Sequence, residues 1–209
     1  MTPLFRIAVF LFALFLSGCS NVVPVTGTTP APLIGTLPVT MGVVYDEGFR
    51  HYVYEQNPDE GGKWRIELGD LNIQFFDRVF STMFRNVVTV PGVPVEENGR
   101  GVQAILRPTI EEYGFLTPRD SGLRFYAVSI KYRVQMYTPD GELIAAWPIV
   151  AYGKSPAKGL TGRDSLQDAT RLAIRDGAAA MVLDFHKQPT IRDWLLSNGV
   201  VGSTGGSGQ

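Results

Sequence analysis

The sequence predicts an α+β domain, a mainly antiparallel sheet of about five strands with two helices packed on one face. Three observations lead there. Two long segments, Leu68 to Phe84 and about Asp164 to His186, carry apolar residues three and four apart, as one buried helix face requires. Between them lie strand-like runs, the last two joined by the turn signal Thr138-Pro139-Asp140-Gly141. Within those runs, Leu123 to Tyr137 alternates without a break. Tyr126, Val128, Ile130, Tyr132, Val134 and Met136 share one face, and Ser129, Lys131, Arg133 and Gln135 the other. A sheet with one polar face meets water or a partner on that side.

The elements follow in order. Arg6, the apolar run Ile7 to Leu16 and the small pair Ser17-Gly18 have the layout of a secretory signal, expected over residues 1–18. The run falls short of the about 20 apolar residues that span a bilayer. Residues 19–40, with Pro24, Pro30, Pro32 and Pro38, are expected to form a flexible tether. At about 3.1 Å per residue its Pro-rich part, Val22 to Thr40, would reach up to roughly 60 Å. A single domain is expected over 41–196. Val43 to Tyr45 and Phe49 to Tyr54 read as strand, separated by a break at Asp46-Glu47-Gly48, and Asn57 to Lys63 reads as a turn. Gly69 and Asp70 mark the start of the first helix.

Val87 to Val90 is a short strand ending at Pro91-Gly92, and 91–101 a loop. Val102 to Leu116 is a long strand in which Pro108 implies an edge or a bulge. Leu143 to Tyr152 returns as the hairpin partner, and Ser155 to Gly162 is a loop. In the second helix Gly177 costs about 1 kcal/mol relative to Ala, so it is expected where helix and sheet approach closely. Past Pro189, Ile191 to Leu196 forms a last short helix, and 197–209 is a Gly/Ser/Thr-rich tail expected to be disordered.

The chemistry-bearing residues are few. With 19 basic and 20 acidic residues, the formal charge of −1 makes no case for nucleic acid or for an anionic surface. Cys19 is the only cysteine, which excludes a disulfide. The two histidines, His51 and His186, stand apart from any cluster of metal-ligating spacing, and no Gly-x-Ser-x-Gly elbow occurs. Glu111 and Glu112 are adjacent on a strand, so they point to opposite faces and cannot flank one glycosidic bond. Gly159-Leu160-Thr161-Gly162 lacks the Lys-Ser/Thr of a phosphate loop. No catalytic residue, cofactor or metal is therefore expected. The candidate interface is Lys131, Arg133, Gln135 and Tyr137 with Trp147, a mix of charge and aromatics suited to a polar-rimmed contact. Core placement is the competing reading for Trp147 and Trp194.

Leu16-Ser17-Gly18-Cys19 resembles the bacterial lipobox. That resemblance implies an acylated Cys19 as first residue of the mature protein. Ser20 in place of Asp implies export to the outer membrane. The strings Tyr132-Arg133-Val134, Tyr137 to Leu143, Trp147-Pro148 and Tyr152-Gly153-Lys154, with the Ala-rich helix around Ala169 to Asp184, are similar to small Gram-negative outer-membrane lipoproteins. The element order is also similar to YajG-like lipoproteins and to periplasmic lipoprotein domains of curli and exopolysaccharide export. The resemblance implies a domain facing the periplasm, held to the membrane by lipid and meeting envelope proteins or further copies of itself.

The expected function is thus a non-enzymatic accessory or assembly subunit of an envelope export or assembly machine. The alternative is a lipid- or glycan-binding carrier or sensor, with a ligand between sheet and helices near Phe75, Phe76, Phe80, Phe84, Tyr126 and Tyr132. An envelope hydrolase using His51, His186, Glu111 or Glu112 is the third reading.

Overall fold

The computed structural model describes residues 21–24, 35–56, 64–95, 101–158 and 162–200. The expected signal peptide at 1–18, Cys19, the expected turn at 57–63 and the expected tail from 201 lie outside them. The elements run β1 (Asn21–Pro24), β2 (Leu37–Val43), α1 (Glu47–Arg50), β3 (Val53–Glu55), β4 (Trp64–Glu67), α2 (Gly69–Met83) and β5 (Phe84–Thr89). They continue with β6 (Ala104–Leu116), α3 (Pro118–Ser121), β7 (Phe125–Tyr137), β8 (Leu143–Pro156), α4 (Arg163–Lys187) and α5 (Pro189–Ser197).

The class is α+β, but the sheet is mixed rather than mainly antiparallel. Five strands run in the order β5-β2-β6-β7-β8, and a second sheet has the order β1-β4-β3. β6, β7 and β8 form the expected antiparallel meander. β2, however, pairs in parallel with both β5 and β6, and β1 pairs in parallel with β4. Five helices are described, not two; α2 and α4, the long pair, do share one face of the large sheet and touch each other. A hairpin announces itself through its turn, whereas parallel partners joined by a long crossover leave no local signal.

Local chemistry explains the other departures. Asp46 is an N-cap rather than a break: its Oδ1 accepts from the Phe49 amide at 2.8 Å, turning Glu47–Arg50 into a helical turn and leaving only Val53–Glu55 as strand. Thr117 and Asp120 close α3 as a capping box, with Pro118 at its first turn. In β6 the register shifts between Ile110 and Glu112, so the bulge falls at Glu111. Pro108 sits two residues beyond the last β2 partner, Leu106, where β6 has become a local edge. In the stretch expected to be tether, Asn21–Pro24 forms a strand beside β4, and Leu37–Thr40 belong to β2.

Buried side chains from α2, α4, α5 and the inner sheet face form one core. Phe76 lies at its centre, with rings of Phe49, Phe75, Phe80 and Tyr132 at centroid distances of 5.6, 4.8, 5.4 and 5.5 Å. The small sheet extends the same layer through Tyr54 on Tyr113 and Trp64 on Phe115. Two hydroxyls fix the helices to the sheet. Tyr132 donates to Asn72 Oδ1 at 2.7 Å, Asn72 in turn donates to the Leu68 carbonyl at 2.9 Å, and Tyr113 meets Thr170 Oγ1 at 2.8 Å. Burial pushes the Tyr132 phenol well above its ordinary pKa, so it remains a donor. Replacing Tyr132 by Phe strands a buried carbonyl and is expected to destabilise by about 1–3 kcal/mol; the pair Tyr132→Phe with Asn72→Leu should recover much of that in chemical unfolding.

β8 is a long edge strand, and two features blunt it. The Tyr152 amide, pointing away from β7, donates to Asp176 Oδ2 of α4 at 2.9 Å. Four residues earlier, on the same side, Pro148 has no amide to offer. Strand addition at this edge is disfavoured.

Candidate interaction surface

The alternation of β7 and β8 splits the meander into a sealed inner face and an open outer one. Inside stand Tyr132, Val134 and Met136 of β7 with Trp147, Ile149 and Ala151 of β8. Outside, register sets Lys131 opposite Val150, Ser129 opposite Tyr152 and Arg133 opposite Pro148. The Glu111 bulge aims its carboxylate at this outer face, where Lys131 Nζ lies 3.1 Å from Oε2 and Arg133 Nε bonds Oε1. These two cations hold the Glu111 carboxyl below the usual range, Arg133 more than Lys131. An NMR titration should find the Glu111 carboxyl below an ordinary glutamate. The clamp is intact above that ordinary value and lost as pH falls through the depressed one; Arg133→Ala should move the titration back up.

Lys131, Arg133, Gln135 and Tyr137 therefore do share the outer face, all half-buried. Tyr137 is partly covered there, since it joins a small second cluster with Val44, Val90, Val102 and Ile105 under the segment after β5. Trp147 is not part of this surface. It is 2% exposed, on the inner face, with its ring edge-on to Phe185. The parity of β8 decides this: odd positions from Ala145 to Ser155 point inward. The same parity names the residues that composition alone did not single out. Val150 and Tyr152, the latter 65% exposed, stand on the outer face beside Lys131. Lys154 Nζ rests 3.6 Å above the Phe125 ring, and Leu116 is exposed at the end of β6.

No catalytic arrangement gathers among the described residues. Glu111 is engaged with Lys131 and Arg133, and Glu112 points into solvent. His51 is exposed, with its ring 3.2 Å from the Glu47 carboxylate at the end of α1. His186 packs edge-on against Phe185 near the end of α4. No group of three metal-ligating side chains occurs among the described residues. An open cleft of about 540 Å³ lies between α1, β4 and α2, lined by Arg50, His51, Arg65, Glu67 and Asp70. Its Arg65 is already committed to Glu55 and Glu67. The cleft is distinct from the space between sheet and helices, which aromatic rings fill.

No protein-family model and no curated protein sequence matches the chain. Solved structures do. Protein XCC0632 from Xanthomonas campestris, of the family model DUF330, matches 81% of this chain and 98% of its own at 11% identity, with a TM-score of 0.51. The two share a fold. A protein assigned as a neuraminyllactose-binding hemagglutinin homolog from Helicobacter pylori matches at 10% identity and a TM-score of 0.49, covering 81% of this chain and 96% of its own. A protein assigned as a lipoprotein from Caulobacter crescentus matches at 11% identity and 0.41, covering 61% and 83%. Among the described residues no helix is long and apolar enough to cross a membrane.

Proposed function

We propose that this protein is a lipid-anchored lipoprotein of the outer membrane whose periplasmic domain acts without catalysis, as an accessory or assembly subunit of an envelope export or assembly machine. The observation that carries this reading is the open outer face of β6, β7 and β8. There Val150 and Tyr152 stand exposed beside an ordered Lys131–Glu111–Arg133 cluster, while the opposite face is sealed. An apolar centre with an aromatic anchor and pre-arranged charge is what a protein partner uses. The lipobox-like Leu16-Ser17-Gly18-Cys19 supports the anchor, and Ser20 the outer membrane as destination. Acyl chains would hold the protein permanently, since each buried methylene contributes about 0.8 kcal/mol and two or more chains suffice.

Cross-linking in intact cells, followed by detergent extraction and native sizing, tests the reading. Recovery of a defined assembly, of this chain with itself or with other envelope proteins, is expected. Recovery of the monomer alone overturns it.

A further inference from the structure

The net charge conceals a polarity along the molecule. One end of the large sheet gathers the end of β6, α3, the start of β7, the end of β8 and the start of α4, because Leu116 pairs with Ala127 and Phe125 with Pro156. At this end Arg119, Arg124, Lys154, Lys158 and Arg163 are all exposed, against Asp120, Asp164 and a Glu55–Arg65–Glu67 cluster that carries one net negative charge. Arg124, Lys154, Lys158 and Arg163 make no ion pair among the described residues. Two leucines stand out among them, Leu116 and Leu123, the latter 53% exposed. The opposite end differs: the β7–β8 turn carries Asp140 and Glu142 and no cation, and the nearby Lys187 and Arg192 at the end of α4 and in α5 are matched by Asp184 and Asp193.

The register of β1 then selects the occupant. β1 runs parallel to β4 with Asn21 opposite Trp64, and Trp64 packs on Phe115 at the basic end. Cys19 precedes Asn21 by two residues, so covalent geometry keeps it within about 7 Å of that strand's start. We propose that this end, through Leu116, Leu123, Arg124, Lys154 and Lys158, rests on the anionic phospholipid headgroups of the membrane that holds the acylated Cys19. The inference rests on the anchor proposed above. Each Lys or Arg near an anionic surface adds attraction, and the exposed leucines enter the headgroup boundary. The sheet's outer face would then stand upright on the membrane, open sideways, with the acidic turn farthest away. The domain is seated, not swinging on a long tether.

The test uses the full-length, acylated protein in vesicles of phosphatidylethanolamine and phosphatidylglycerol that contain a membrane-embedded quencher. With Cys19 acylated, Leu123→Cys or Glu142→Cys supplies a single labelling site. Flotation and the mass of the N-terminal peptide report the anchor separately. Among floated molecules, quenching at 123 is expected to exceed that at 142 several-fold. It should weaken in Arg124→Ser/Lys154→Ser/Lys158→Ser, and in about 1 M salt, where the Debye length is about 3 Å. Equal quenching at both positions overturns this inference and leaves the anchor standing. A label at 123 that is shielded in cells yet unquenched in vesicles assigns the end to a protein partner and overturns it too. A protein that does not float and is not acylated overturns the anchor reading, and this inference with it.

Discussion

Replacing Gly153 by Ala is expected to cost about 3 kcal/mol or more, the upper range for forcing atoms into a packed interface. Gly153 lies on the inner face of β8 directly under α4. A Cβ there would overlap the carbonyl oxygen of Ala169 and crowd the amide nitrogen of Ala173, both backbone atoms of the helix. Backbone cannot rotate aside as a side chain can, so the whole helix must lift. α4 carries Leu166, Ala173, Ile174, Met181 and Phe185 into the core, and lifting it loosens all of them. For a domain of this size the melting temperature should fall by roughly 10 °C. Gly114→Ala serves as control: its Cβ would meet only Ser129 Oγ at 3.5 Å, an ordinary contact. If Gly153→Ala melts with the wild type, α4 is not seated on β8 as described.

Phe76→Ala is expected to cost about 3–5 kcal/mol by the opposite mechanism, a cavity instead of a clash. Phe76 bridges α1 through Phe49 and the sheet through Tyr132, while Phe75 and Phe80 flank it on its own helix. Removing the ring leaves those faces without contact atoms, and none of the four neighbours is free to collapse inward, being themselves 0–1% exposed. Leu183→Ala, on the solvent side of α4, should change stability by no more than about 0.5 kcal/mol. Chemical unfolding of the two variants side by side checks the contrast.

The antiparallel half of the fold was legible because its signals are local. Strict alternation from Tyr126 to Met136 and the Thr138-Pro139-Asp140-Gly141 turn define β7, β8 and their register, and helical spacing defines α2 and α4. The parallel half was not legible, since nothing in Met41 to Val43 says that it lies between Met41-facing Val87 on one side and Ala104 on the other. Two glycines bring α4 close to the sheet, and only one of them is legible in the sequence. Gly177 does face the sheet closely, with a Cβ that would lie 3.2 Å from that of Ala151. The tighter approach belongs to Gly153, whose place in a strand gives no hint of a helix above it. On the candidate surface, Lys131 and Arg133 were found through alternation. Of the two readings open for Trp147, interface or core, the parity of β8 selects the core and leaves Val150 and Tyr152 on the outer face. A net charge of −1 hides the segregation between Arg124 or Lys158 at one end and Asp140 or Glu142 at the other, which depends on where the strands lie.

The central claim is that the outer face of β6, β7 and β8 receives a protein partner, and a photo-cross-linking side chain at position 152 tests it most directly. The probe replaces Tyr152 in the full-length protein in living cells, with the same probe at Leu183, 59% exposed on the far side of α4, as comparison. Discrete adducts with an envelope protein or a second copy from position 152, and none from 183, are the result this account predicts. Adducts from 183 but none from 152 would contradict it and move the partner surface to the helices.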